Sequence, residues 1–391
     1  MSRGCLLVLG LCLTGCGPSG SARLAVVETD SAGVRIVTNQ SLDVPRWTLD
    51  ETPFLELGVV DGGGPEQFFR VSAARRLRSG DFAILDGSRE LRVFAPDGTF
   101  LATYGGEGDG PGEYRGPGRM FRLGGDTLAI WDTRLRRLTR LDGEGRVLET
   151  ISPAGVGMRP QILTVLPDGS TLLEDEIRIG FTPTEYTQQF SNFLLFGPDG
   201  ALRDSLPVQP RVEVALWGDG PMAGPRMFDE GTQFAGDWGG YWIGTTRSEE
   251  VRRYDLDGTL TMLVRWPEGD RIVRDDAADL ALEERLRTLS PGTDPEALTE
   301  LHRKRDVAER YPTHALLEVD ALDHLWMQDV ERPGSEGPSI WKVFDPTGVL
   351  LATVAVPRGH RVFDIGADYV LARGSDDFGV EYIRVFRLTR G

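Results

Sequence analysis

The chain has 391 residues, 40% hydrophobic and 26% charged, the composition of an ordinary globular protein with enough apolar material for a large core or a repeat array. Forty-three basic residues against 60 acidic give a formal net charge of −17, so the summed field repels nucleic acid and anionic lipid.

All three cysteines fall in the first sixteen residues, within MSRGCLLVLGLCLTGCGPSGS. Arg3 supplies a positive start, and Leu6 to Leu13 form an apolar run too short to span a bilayer as a permanent helix. Residues 1–15 are therefore expected to be an export signal. The run LTGC, Leu13 to Cys16, resembles the lipobox of bacterial lipoproteins, which implies lipidation at Cys16 and attachment by acyl chains alone. Gly17 rather than Asp follows the cysteine, which favours the outer membrane, facing the periplasm or the cell surface. Residues 16–32 are expected to be a flexible tether. Processing would leave one cysteine, excluding disulfides and thiolate metal sites.

From residue 46 onward a hairpin recurs: LRVFAPDGTFLATYG from 91, LTRLDGEGRVLETIS from 138, FLLFGPDGALRDSLP from 193, VRRYDLDGTLTMLVRWP from 251 and WKVFDPTGVLLATVAVP from 341. Period-2 alternation predicts strands, and Gly98, Gly145, Gly200, Gly258 and Gly348 close turns that need positive φ. A further short strand precedes each hairpin: SGDFAILD, GGDTLAIWD, PDGSTLLED, WGGYWIGT and LDHLWMQD. A sixth copy, GADYVLAR at 366–373, leads to EYIRVFRLTRG with no outer strand of its own. The segment RWTLDETPFLELGVV, 46–60, supplies the missing partner, so the array is expected to close on itself and leave no free sheet edge.

These units, with YGGEGDGPGEYRGP at 104–117 and its degenerate copy LGVVDGGGPEQFFR at 57–70, resemble the six-bladed β-propellers of the NHL and TolB-like kind, in particular a group of bacterial lipoproteins. The resemblance implies an all-β fold over 33–391: a six-bladed propeller closed by its N- and C-terminal strands, with one helical insertion. The glycine run is read as a joint between units. No strand leads from it straight into a helix, Glu107, Asp109 and Glu113 repel phosphate, and Pro111 and Pro117 forbid a helix.

Strand parity places first and third turns on one face of the disc, and second turns and links on the other. The extra length at 174–192, 209–233, 268–312 and 329–339 all belongs to the second face, where long connections tend to be functional. Within 268–312, Asp275 or Asp276 starts one helix and Asp294-Pro295 a second; this insertion reads equally as a lid or a brace.

His302, His314, His324 and His360 cannot all converge, so a three-histidine metal site is not expected. Carboxylates are plentiful enough for calcium, though no ligand set stands out, and no cofactor is otherwise expected. No nucleophile motif is present. Trp131, Trp242 and Trp326 fall on second strands and are expected in the core. A basic residue stands near the start of each inner strand: Arg70, Arg119, Arg159, Arg226, His314 and Arg361. Together they would form a cationic ring suited to a carboxylate, phosphate or sulfate. The expected function is a monomeric, lipid-anchored envelope propeller that binds a small anionic ligand or an envelope protein on its loop-rich face without catalysis. The alternative is a metal-assisted hydrolase or lyase at the channel mouth.

Overall fold

The computed structural model describes residues 26–60, 63–124, 126–157, 160–177, 185–217, 222–229, 231–289, 292–376 and 378–391. The expected export signal, Cys16 and Arg159 lie outside the described residues. Each recurring unit folds as an antiparallel meander. The first runs Ala73–Arg76, Phe82–Leu85, Glu90–Phe94 and Phe100–Gly105; the second Pro117–Arg122, Leu128–Asp132, Arg137–Leu141 and Val147–Ile151. The third runs Gln161–Val165, Thr171–Ile177, Thr187–Phe196 and Leu202–Leu216, with Ala223–Gly224 added at its edge. Gln233–Gly236, Gly240–Gly244, Glu250–Asp255 and Leu260–Arg265 make the fourth, and Leu316–Val319, Leu325–Gln328, Ser339–Phe344 and Leu350–Val356 the fifth. The last has only Arg361–Ile365, Tyr369–Ser375 and Glu381–Thr389 of its own.

Its fourth strand comes from the other end of the sequence: Leu55–Leu57 pairs antiparallel with Ile383–Val385. Just upstream, Arg46–Leu49 lies between the fifth and sixth units, parallel to Thr353–Val354 and antiparallel to Leu388–Thr389, joining them into one sheet. Residues 26–31, expected in the tether, instead form the strand Val26–Ser31, paired with Val34–Asn39 through a turn at Ala32-Gly33. Val34–Asn39 then pairs parallel with the outer strand of the fourth unit. The local reason is the alternation of Val, Ile and Thr through 34–39, which suits a strand better than a linker.

The first strands of the units lie side by side. Ala73–Arg76 packs on Pro117–Arg122, that on Gln161–Val165, then Gln233–Gly236, then Leu316–Val319, and Arg361–Ile365 packs back on Ala73–Arg76. Between the fifth and sixth units the Ala321 amide donates to the Ile365 carbonyl at 3.0 Å. The architecture is mostly β and propeller-like, with two helices among the described residues.

The five hairpin glycines all have positive φ, between 75° and 90°. At Gly145 the constraint is doubled, because a Cβ there would fall on the Tyr104 ring. Buried side chains sit between adjacent sheets, with Trp131, Trp242 and Trp326 each 1% exposed or less.

The glycine run is a joint. Gly110 gives its amide to the Glu113 carboxylate at 2.8 Å, and Arg137 reaches the Asp109, Gly110 and Glu113 carbonyls at 2.6 to 2.9 Å. Buried Asp132 accepts from the amides of Arg115, Gly116, Arg134 and Leu135 at 2.7 to 3.0 Å, tying the link to the second turn of its unit. Amides engaged in this way are not available to a phosphate.

Leu57 is 4% exposed and sits in the cluster between the sixth and first units. Leu57→Ala should lower unfolding stability by about 2–5 kcal/mol in urea denaturation. A loss below about 1 kcal/mol would show that the borrowed strand is dispensable.

Candidate functional site: a charged central channel

A cavity of about 760 Å³ runs the length of the inner strands, from Ser72, Arg119, Leu316 and Arg361 near their starts to Arg78, Trp238, Asp323 and Ala367 at their ends. A second cavity of about 420 Å³ lies toward the loop-rich face, lined by Gln161, Glu174, Arg211, Asp229 and Gln233. The two share Arg119, Leu163 and Phe234. The larger space thus reaches the face of short first turns, not the loop-rich face expected to bind.

Much of the extra length on the loop-rich face is fixed structure. In the third unit it extends a hairpin, so that Gln188 still pairs with Glu213. Helices α1 (Ala277–Arg287) and α2 (Pro295–Arg303) belong to a brace. Asp294 caps α2 by accepting from the Glu296 amide at 2.9 Å. Beyond α2, the Met227 amide donates to the Asp306 carbonyl at 2.7 Å, and the Ala308 amide to the Met227 carbonyl at 3.0 Å. The Tyr311 amide donates to the Arg271 carbonyl at 2.6 Å. Glu284 of α1 accepts the Gly334 amide at 2.8 Å. Backbone bonds to Met227 after α2, and the Glu284 contact with Gly334 from α1, fasten the helical pair to the rim.

Inside the channel, guanidinium charge along the inner strands is only partly balanced. Arg119 donates to the Ile162 carbonyl at 3.2 Å and Arg75 to the Ala74 carbonyl at 3.1 Å. The Arg361 guanidinium lies 5.2 Å from the centre of the Phe363 ring. Among the described residues none of these three has a carboxylate at ion-pair distance. Solvent reaches Arg361 along the channel, yet the surrounding walls, then Arg373 and Arg119, push its pKa down; Glu318 opposes them. Arg373 is already matched by Glu381 at 3.0 Å.

The mouth formed by the first turns is lined by Asp237, Asp320, Asp323 and Arg78. Asp237 pairs with Arg253 and accepts the Gly239 amide at 2.7 Å. Burial alone would raise the Asp320 carboxyl, but donors from His324, Trp326 and Arg390 outweigh it and hold the group at about 2. Asp323 differs. Its carboxylate accepts no hydrogen bond among the described residues, and burial, followed by the charge of Asp237, raises its pKa. Trp238 stands beside it in the lining, 58% exposed.

At the opposite end, Glu174 is 4% exposed and accepts from Ser191 Oγ at 2.5 Å and Arg211 Nε at 3.0 Å. Burial raises the Asp229 carboxyl, with Glu213 adding to it, against the pull of Arg247 at 3.6 Å and of Arg226.

Of the basic residues singled out from sequence, the structure brings Arg119 and Arg361 together on the channel wall. Arg70 is exposed outside, at φ 53°, with its guanidinium 4.9 Å above Phe69. Arg226 lies over Tyr186 at 3.6 Å and pairs with Glu213 at 3.4 Å. His314 is fully buried; burial, then Lys342, depresses it to about 3, and its Nδ1 faces Thr313 Oγ1 at 2.8 Å. Arg75, Glu318, Asp323 and Trp238 lie outside the sequence-based set. The alternation along AARR at 73–76 could have exposed Arg75, whereas the other three depend on how adjacent units are rotated. Among the described residues no three His, Cys, Asp or Glu side chains stand close enough to hold a metal ion, and no calcium donor set is assigned.

No protein-family model and no curated protein sequence matches the chain. Solved structures do. A protein described as exported from Bacteroides fragilis is 15% identical, with 91% of this chain and 100% of that one covered at a TM-score of 0.50. A member of the duf4221 family from Bacteroides vulgatus is 9% identical, with 89% and 100% covered at 0.53. A gluconolactonase from Xanthomonas campestris is 15% identical, with 87% and 99% covered at 0.40. At these identities the likeness is one of fold alone, a β-propeller-like architecture.

Proposed function

We propose that the six units are blades of a closed ring and that its central channel binds a small anionic ligand. The observation behind this reading is that Arg75, Arg119 and Arg361 line one cavity, with no carboxylate at ion-pair distance among the described residues, in a protein whose net charge is −17. Low-dielectric walls strengthen such a local field against the opposite charge of the surface. A carboxylate, phosphate or sulfate would supply the missing countercharge through charge-assisted hydrogen bonds. Calorimetric titration with inorganic phosphate and citrate should show binding that weakens about tenfold or more in Arg119→Gln and in Arg361→Gln. Unchanged affinity in both variants would end the reading.

We propose further that the protein works from the bacterial envelope, held to the outer membrane by acyl chains on Cys16. The Leu13 to Cys16 run supports this, as does the fold shared with a protein described as exported. Radiolabelled palmitate fed to expressing cells should mark the wild type and not Cys16→Ser; equal labelling would exclude this anchor.

A second reading, a hydrolase or lyase at the loop-rich mouth, is favoured by Asp229. A half-buried carboxyl with a raised pKa, lining a cavity with Glu174, Arg211 and Gln161, is a candidate general acid. No metal ligand set stands beside it among the described residues, so the reading rests on the carboxyl alone. Chromogenic esters and glycosides should then be turned over by the wild type and at least about a hundredfold more slowly by Asp229→Asn. Turnover that survives the substitution would discard Asp229 as the acid.

A further inference from the structure

Anchoring through Cys16, the reading on which this inference rests, holds the start of the N-terminal hairpin near the bilayer, and strand register fixes where that start lies. Val26 pairs with Asn39, Thr38 with Arg265, and Arg265 with Glu250, the first residue of the strand after the second turn of the fourth unit. Val26 therefore sits at the end of the sheet from which second turns and links leave. Ten residues separate it from Cys16, at most about 35 Å of chain.

The same end carries exposed apolar tips. Among the described residues the three most exposed large apolar side chains are Phe378, Ile272 and Phe69, at 90%, 61% and 60%. Phe378 lies in the second turn of the sixth unit, Ile272 in the link after the fourth and Phe69 in the link before the first, so all three belong to the loop-rich face. Leu101, Leu148 and Leu202 are exposed as well, but each lies on the outer strand of a different unit, around the circumference. Helix α2 adds an apolar stripe to the loop-rich face. No residue of α2 is buried, and its Ala297, Leu298 and Leu301 line a groove of about 390 Å³ with Met222. His302 holds the helix to α1 through the Ala278 carbonyl at 2.8 Å. A helix held along one side and apolar along an unburied other side suits a membrane interface.

We propose that the loop-rich face lies on the bilayer, with Phe378, Ile272, Phe69 and the α2 stripe at the headgroup boundary. Tips spread over several units meet a flat apolar partner together, whereas a small ligand reaches only one of them. The net charge of −17 selects the lipid: anionic headgroups are repelled, and a zwitterionic surface such as phosphatidylcholine is not opposed in this way. In this orientation the first-turn mouth of the channel faces away from the membrane.

The test uses protein labelled with palmitate in cells, purified from membranes and reconstituted into phosphatidylcholine vesicles that contain a lipid with a nitroxide near its headgroup. Phe378→Cys, Ile272→Cys and, on the first-turn face, Leu322→Cys each carry a fluorophore. The labels at 378 and 272 should be quenched by the nitroxide at least about twofold more than the label at 322, and should be the more shielded from iodide in the water. Nitroxide quenching at 322 that equals or exceeds the other two overturns the orientation while the anchor stands. Shielding of 378 and 272 from iodide without nitroxide quenching shows a second copy of the chain on the face, and excludes lipid there. Absence of palmitate from the purified protein removes the anchor itself, and this inference with it.

Discussion

The pairing of Leu55–Leu57 with Ile383–Val385 is the contact on which the arrangement of units depends. A meander of three strands ends at Thr389 with its outer edge bare, and a bare edge is a template for association with other chains. The same N-terminal stretch does more than fill that gap. Val34–Asn39 covers the outer strand of the fourth unit, Arg46–Leu49 joins the fifth to the sixth, and Leu55–Leu57 completes the sixth. Asn39 fastens the strap by donating to the Arg265 and Gly348 carbonyls and accepting from the Leu350 amide. Three consecutive units thus share one continuous band before the chain begins its first repeat. Each part of the band covers an edge, so the fourth, fifth and sixth units all depend on one N-terminal segment, and Leu55 and Leu57 carry that segment into the cluster shared with the first unit.

That coupling bears on the channel because two of its charged elements come from strapped units. Arg361 begins the inner strand of the sixth unit, and Asp323 sits in the first turn of the fifth. The turn is held by Asp320, which gathers Trp326 Nε1 at 2.9 Å, Arg390 at 2.8 Å and the Leu322 amide at 2.8 Å. Arg390 comes from the C-terminal end of the chain and lies 4.8 Å from the ring of Trp47, itself in the strap. The N-terminal strap and the channel mouth are therefore parts of one packed network. Uncompensated charge survives there only because the surrounding structure fixes it.

What is legible in the sequence is local. Five turn glycines, the alternating strands, the buried tryptophans and the source of the last outer strand follow from rules of period and turn chemistry that operate within a few residues. The cationic residues are legible only in part. Arg119 and Arg361 lie within inner strands, so their alternation fixes which way they face; Arg226 and His314 precede the strands, where alternation gives no guidance. His314 instead occupies the space left by the absent side chain of Gly244, far earlier in the chain. The strand at 26–31 escapes a reading of the sequence because all but its first residue are exposed and its only pairing is with the next strand, so its hydrophobic pattern is weak.

Loop length is a poor guide to where the channel opens, and the reason is mechanical. A long connection can bind a ligand or bind the protein itself; here the 268–312 segment commits its backbone bonds to Met227 and to its own returning strand at Arg271 and Tyr311. The short first turns bond sideways to their neighbours, as Ala321 does to Ile365 and Arg78 to Asp126, and so leave the cavity open. Their brevity also limits their motion, which keeps Asp323 and Trp238 where the register puts them. A mouth built from short turns is thus both the more open and the more preorganised, and preorganised charge loses less on binding than charge that a ligand must first order.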